Sequence, residues 1–170
     1  MEVWGQDPLD GVSIYDGGDF WHFVTFGFSE LHEKESEYKD ISGFGYEMTF
    51  KLKKGNYKTV DGEFGNVVQI LQMLARAVFV GHEAFSSFEF IGFEDGQGID
   101  AEHVSELTGF ITINDPSVNT LYTKNGKVEF LELIGVTDKE LHTLSDLQSV
   151  KDLYAKLGTD VTDYGRKSIV

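Results

Sequence analysis

The chain has 170 residues, with 29 acidic against 14 basic side chains, a formal charge of −15 and no cysteine. So negative a field repels phosphate backbones, which argues against nucleic-acid binding and favours encounter with a basic protein. The missing cysteines exclude disulfides and thiolate chemistry, so stability does not depend on redox state.

A 41% hydrophobic and 14% aromatic composition suits a packed core, and the length suits a single domain over residues 1–170. Met1-Glu2-Val3-Trp4-Gly5 lacks the basic start and apolar run of a signal peptide. No apolar run approaches the ~18 residues of a membrane span. A cytoplasmic location and no membrane partner are the expectations.

In chain order, Trp21 to Phe28 is apolar on both strand faces, with Trp21 and Phe23 on one and Val24, Phe26 and Phe28 on the other. The stretch that follows, with Glu30, Glu33, Glu35, Glu37 and Asp40 broken by Lys34 and Lys39, reads as a solvated loop. Phe44 to Leu52 alternates cleanly: Phe44, Tyr46, Met48, Phe50 and Leu52 share one face, Gly45, Glu47, Thr49 and Lys51 the other. A turn follows at Lys53-Lys54-Gly55-Asn56.

From Val67 the period changes. Val67, Ile70, Leu71, Leu74, Ala75 and Val78 fall on one helix face, with Asn66 as the predicted N-cap and Gly81 as the stop. Phe85 to Phe93 reads as a strand running into the acidic loop Glu94-Asp95-Gly96-Gln97-Gly98. Gly109 to Ile113 and Thr120 to Thr123 flank the turn Asn114-Asp115-Pro116. Asn125-Gly126 predicts a two-residue type I′ hairpin that sets Tyr122 near Glu129 and Leu121 near Phe130. Val128 to Val136 is apolar enough for an interior strand.

Thr137-Asp138-Lys139-Glu140 fits a capping box opening a short helix. Ser145-Asp146-Leu147-Gln148 fits a second capping box, opening a helix that buries Leu147, Val150, Tyr154 and Leu157 and ends at Gly158; Val161 to Tyr164 is a candidate last strand. Strands and helices do not alternate regularly, so the expected fold is α+β: one mixed, mostly antiparallel sheet with helices packed on it.

The search for catalytic chemistry returns nothing built in sequence. No two of His22, His32, His82, His103 and His142 stand at metal-ligand spacing. Glu94 to Asp100 lacks the ligand spacing of a calcium loop. The glycine pairs are too sparse for a phosphate cradle, and no nucleophile elbow is present. No catalytic residue, metal site or cofactor is therefore expected. The one enzyme alternative is a small hydrolase or metal-dependent enzyme built from His22 with Glu47 or Asp10, and it requires those side chains to converge in one cleft.

Several motifs taken in order carry a resemblance. They are Asp7-Pro8-Leu9-Asp10 with Val12-Ser13 and Tyr15; Trp21-His22 leading to Phe26-Gly27 and Ser29; and Ser42-Gly43-Phe44-Gly45 with Glu47 and Thr49-Phe50. Leu74-Ala75-Arg76 with Val78-Phe79, Ile134-Gly135-Val136-Thr137 with Glu140-Leu141-His142, and Thr162-Asp163 complete them. In this order they resemble the N-terminal domain of the Suppressor of fused family, from Asp7 to about Ile169.

The resemblance implies a non-enzymatic domain that binds protein. Animal members repress a zinc-finger transcription factor of the Hedgehog pathway, clasping a short peptide as an added strand between this domain and a second one. Ala77 stands where those members carry an aromatic residue of the peptide pocket, and Glu89 roughly matches an acidic pocket position. Short stand-alone members resemble bacterial immunity proteins that neutralise toxins. That role suits the charge, because a basic toxin domain would meet an acidic inhibitor quickly. The candidate binding residues are exposed acids and an aromatic: Glu33, Glu35, Glu37, Glu89, Phe90, Glu94 and Asp95. The family motifs themselves are read as core and turn positions.

Overall fold

The computed structural model describes residues 8–30, 34, 36–55 and 57–170. Its elements are β1 (Gly11–Asp16), β2 (Phe20–Phe26), β3 (Ile41–Lys53), α1 (Val60–Gly81), β4 (Phe90–Gly92), β5 (Leu107–Asn114), β6 (Leu121–Thr123), β7 (Gly126–Thr137), α2 (Asp138–Leu141) and α3 (Leu147–Leu157). The sheet runs β1-β2-β3-β7-β5-β4, with β6 paired to β7. Among the strands of the described residues only β3 and β7 run parallel, with Thr49 opposite Glu132; the other strand pairs are antiparallel. The α+β expectation of a mixed, mostly antiparallel sheet is met.

Each face of the sheet carries its own core. The alternation read in β3 sends Tyr46, Met48, Phe50 and Leu52 to one face, where Phe23, Phe110, Leu131 and Leu133 join them against Val67, Leu71, Leu74, Ala75 and Val78 of α1. Burying each large aliphatic or aromatic side chain contributes roughly 1.5–3 kcal/mol before entropy is counted. On the other face Ile111, Ile113, Ile134 and Val136 pack under Leu144 and the α3 residues Val150 and Leu153. By length and apolar composition α1 could cross a membrane; here its apolar stripe lies on the sheet.

Several boundaries differ from expectation, each for a physical reason. α1 begins a full turn and more before Asn66, because Thr59 is the N-cap, accepting from Gly62 N, with Asp61 and Glu63 in the first turn. Gly62 and Gly65 depress helix propensity there and hide the start. Asn66 instead donates from Nδ2 to Glu63 Oε1 (2.9 Å) and Ile99 O (2.8 Å). At the C-terminus His82, at φ 55°, caps the helix just past Gly81.

The β6–β7 hairpin turns at Lys124-Asn125, one position earlier than the Asn-Gly signal suggests, so the pairing shifts by two residues and sets Leu121 opposite Val128 and Thr123 opposite Gly126. Gly126 is used for close approach: at φ 121°, an added Cβ would lie 2.5 Å from the Ile41 carbonyl carbon. Asn125 turns inward and donates to Glu30 O. Of the 85–93 stretch only Phe90–Gly92 pairs, Phe88 being left-handed at φ 62°. Leu147 is half exposed and Leu153 takes its place in the core. The candidate last strand reduces to one parallel bridge between Leu52 and Thr162. The Thr137/Glu140 capping box is present as expected, whereas the second stands one residue later than Ser145-Asp146-Leu147-Gln148 suggests, at Asp146/Ser149.

Gly43 is where the family-like Ser-Gly-Phe-Gly run earns its glycine: φ is 57° and a Cβ would lie 2.5 Å from Phe28 O. Gly43→Ala should cost about 2–4 kcal/mol in urea denaturation. Gly55→Ala, also at positive φ but in open space, should cost about 1 kcal/mol.

Candidate functional site

The side of β3 that carries Glu47, Thr49 and Lys51 looks half-solvated in sequence, yet all three are buried. Lys51 Nζ lies 3.1 Å from Asp115 Oδ1 and 3.6 Å from Glu132 Oε2, donates to Ser117 Oγ at 2.7 Å, and contacts Asp160 Oδ2. Asp115, in the turn after β5, also receives Thr49 Oγ1 (2.7 Å) and Ser117 N (2.8 Å), and pairs with His22 Nε2 at 2.8 Å. Strand β2, strand β3, the turn after β5, strand β7 and the segment after α3 thus meet at one ammonium group.

Burial alone would raise the Asp115 carboxyl. The bonds from His22, Thr49, the Ser117 backbone and Lys51 overturn that and hold it well below the ordinary carboxylate range. Lys51 behaves likewise. Burial would lower it, but the bond to Asp160, the charge of Glu132 and the bond and charge of Asp115 raise it above its usual value. Glu132 goes the other way: burial first, then the charge of Asp115 and, beyond the opposing pull of Lys51, that of Asp160 push it up to about 10. Neither of its oxygens accepts a hydrogen bond from a described donor. At neutral pH Lys51 is an ammonium, Asp115 a carboxylate and Glu132 a carboxylic acid.

Oxygens of Asp115, Glu132 and Asp160 lie within 4.8 Å of one another, as they would around a metal ion. The cation at their centre is Lys51. The arrangement also brings Ser117 beside a lysine, but a lysine held in its charged form cannot take a proton from serine. His22 faces Asp115 rather than Glu47 or Asp10, so the proposed trio does not assemble. Asp10 is exposed. Glu47 is occupied by Thr25 Oγ1 (2.6 Å), Ser29 Oγ (2.6 Å), Ser29 N (2.9 Å) and Gly27 N (3.1 Å).

The other buried acids are equally committed. Glu63 accepts from Tyr164 Oη (2.5 Å), Asn66 and Ala101 N. Glu140 holds the Arg166 guanidinium at 2.6 and 2.7 Å. A cleft of about 300 Å³ opens at the start of α1 between Tyr57, Thr59, Glu63 and Asp100, away from His22.

The candidate binding residues divide in three. Glu33 and Glu35 lie outside the described residues. Glu37 is exposed in the loop before β3, a loop in which Lys34 donates to Ile41 O and Asn125 O. Phe90 lies on β4, the short edge strand, with Glu89 before it and Glu94 and Asp95 after it, and all four are exposed. Ala77 is exposed on α1. The Lys51 cluster escaped sequence reasoning because its members stand at positions 51, 115, 132 and 160. The one available signal was Glu132, an acid between Leu131 and Leu133 in the apolar middle of a strand.

Taken together, these features define a mixed-sheet α+β domain whose buried charges are consumed internally and whose exposed ones are chiefly acidic. The Suppressor of fused protein (SUFU) family model matches residues 5–167, and the chain belongs to that family. It is 29% identical over 152 residues to the Suppressor of fused homologues of Homo sapiens and Mus musculus, covering 82% of this chain and 30% of each relative. It therefore spans under a third of those relatives.

Among solved structures, Drosophila Suppressor of Fused superposes with a TM-score of 0.79 at 25% identity, over 97% of this chain and 44% of that one. The Sufu–Fu complex gives 0.76 at 26%, over 97% and 79%. A homologue from Neisseria gonorrhoeae gives 0.62 at 17%, over 99% and 85%, a likeness of fold alone.

The cluster makes a signed pH prediction. Unfolded Glu132 would titrate near its ordinary value of 4.5 and folded Glu132 near 10, so unfolding between those limits releases a proton. Stability should fall as pH rises through that window, by up to about 1.4 kcal/mol per pH unit. Glu132→Gln should flatten this component between pH 7 and 9 in urea titrations. Lys51→Met, which leaves two buried carboxylates unpaired, should cost about 3–5 kcal/mol at pH 7.

Proposed function

We propose that this domain is a non-enzymatic, cytoplasmic protein-binding module that captures and neutralises a basic protein, of the kind an immunity protein inhibits in a toxin. The observation that carries this reading is the patch along β4, where the exposed Phe90 stands among Glu89, Glu94 and Asp95 in a chain of net charge −15. An exposed aromatic with acids before and after it in the chain suits a cationic surface: the ring supplies apolar contact and the acids supply attraction and orientation. Membership of the Suppressor of fused family supports protein binding, as does the relative solved as a complex with Fu. No arrangement of described side chains favours the hydrolase alternative.

The test is capture of partners from the native cell on the tagged protein over a salt series. A stoichiometric basic protein, released as salt rises, is the expected result. The triple variant Glu89→Lys/Glu94→Lys/Asp95→Lys should slow its association by about tenfold or more at low salt without lowering the melting temperature. Capture of neutral or acidic proteins, or an unchanged association rate in the triple variant, would overturn the reading.

A further inference from the structure

The sheet has two ends, and they differ. β4 is three residues long and is preceded by Phe88 at φ 62°, which breaks the extended backbone. β1 is six residues long, Gly11–Asp16, and carries no proline, lysine or bulge. Natural proteins normally blunt an exposed edge with such features, because a row of unpaired N–H and C=O groups is a template for another strand.

The ladder shows which groups are free. Gly17 N donates to Phe20 O at 2.9 Å, making that a hydrogen-bonded pair. The antiparallel alternation then directs Tyr15, Ser13 and Gly11 toward β2. On the far side of β2 the bond from Lys54 N to Asp19 O keeps the same phase. The N–H and C=O groups of Val12, Ile14 and Asp16 consequently point away from the sheet, and among the described residues none of them is hydrogen-bonded.

The side chains around this edge restrict what can occupy it. Val12 and Ile14 are half-buried on the α1 face, and Tyr15 is 54% exposed on the other. Asp10 and Asp19 stand exposed near either end, with Asp16 bonded to Lys54 between them. Charge works against a second copy paired antiparallel about Ser13, which would set Asp10 of one chain opposite Asp16 of the other. We propose that the free edge of β1 accepts an extended, lysine- or arginine-rich segment of a protein partner as an eighth strand. Main-chain bonds to Val12 and Ile14 supply affinity, the flanking aspartates select cationic residues at the segment's ends, and Tyr15 covers one of its side chains. This rests on the basic-partner reading above but locates the main-chain contact at the opposite end of the sheet from the β4 patch.

The test uses the full chain and a short synthetic peptide of alternating threonine and valine with lysine pairs at both ends, followed by amide hydrogen exchange. In the free protein the Val12 and Ile14 amides should exchange fast while those of Ser13 and Tyr15 are protected. Saturating peptide should slow Val12 and Ile14 selectively. Ile14→Pro removes an outward N–H without touching a bond to β2, and should weaken peptide binding about tenfold with the melting transition retained.

Protection of Val12 and Ile14 before peptide is added, protection appearing on Phe90–Gly92 instead, or undiminished binding by Ile14→Pro would each overturn the proposal. The exchange pattern of the wild type decides the matter even where the proline variant fails to fold. A native basic partner held equally by wild type and Ile14→Pro overturns the edge assignment and leaves the partner reading standing. Peptide protection of β1 with no basic partner captured supports the edge and overturns the partner reading.

Discussion

One buried ammonium group sets the terms for the rest of this fold. β3 lies inside the sheet with both faces covered, so Lys51, pointing away from α1, has no route to water. A charge in that position is tolerated only when opposite charge and hydrogen bonds surround it. The chain supplies them from Asp115, Glu132 and Asp160, three carboxyl groups from three separate segments. The site contributes little net stability for its size, since the desolvation of each ion offsets most of the attraction. Its larger effect is on register. A one-residue slip of β3 against β7 would turn Lys51 into the α1 core and leave the aspartates unpaired.

The same logic runs through the other buried acids. Glu47 ties the end of β2 to β3 through Thr25, Gly27 and Ser29. Glu63 ties α1 to Tyr164, and Glu140 ties the start of α2 to Arg166. Each carboxylate bridges segments distant in sequence, and each is saturated. Glu47 and Glu140 belong to the motifs that carry the family resemblance, so those motifs describe how the chain is fastened together. A fold fastened this way can be shared by proteins with unrelated partners, because the fastening residues never reach the surface.

The strand and helix pattern was readable where burial is one-sided. The alternation in β3 and the helical period from Val67 named the α1-facing core residue by residue. The cap at Thr137 was visible, and that of α3 was placed to within one residue, because a capping box is a local device. The reading failed wherever a distant segment decided the outcome. Nothing near Glu47, Thr49 or Lys51 says that their face is covered, since the cover comes from residues 115, 132 and 160. The Asn125-Gly126 turn moved because Ile41, across the sheet, presses on Gly126 and leaves no room for a side chain. The start of α1 was hidden by two glycines that tertiary packing overrides.

This division bears on where function can lie. A catalytic centre needs a titratable group whose proton or lone pair is available, and in this molecule the perturbed buried groups are spent on one another. Lys51 is held charged, Asp115 is held ionised by its donors, and Glu132 is kept neutral by burial and its acidic neighbours. Perturbed pKa values often flag active sites; here the same perturbations follow from closing a two-sided sheet over a lysine. What remains uncommitted is at the periphery: an excess of solvated carboxylates, one exposed aromatic on β4, and the unpaired backbone of β1. In the reading proposed above, all three act on a protein partner. Acids at the two ends of one rigid sheet would let a cationic partner be attracted broadly and then held by main-chain geometry at a single edge. Charge and backbone pairing would thus divide attraction and grip between them.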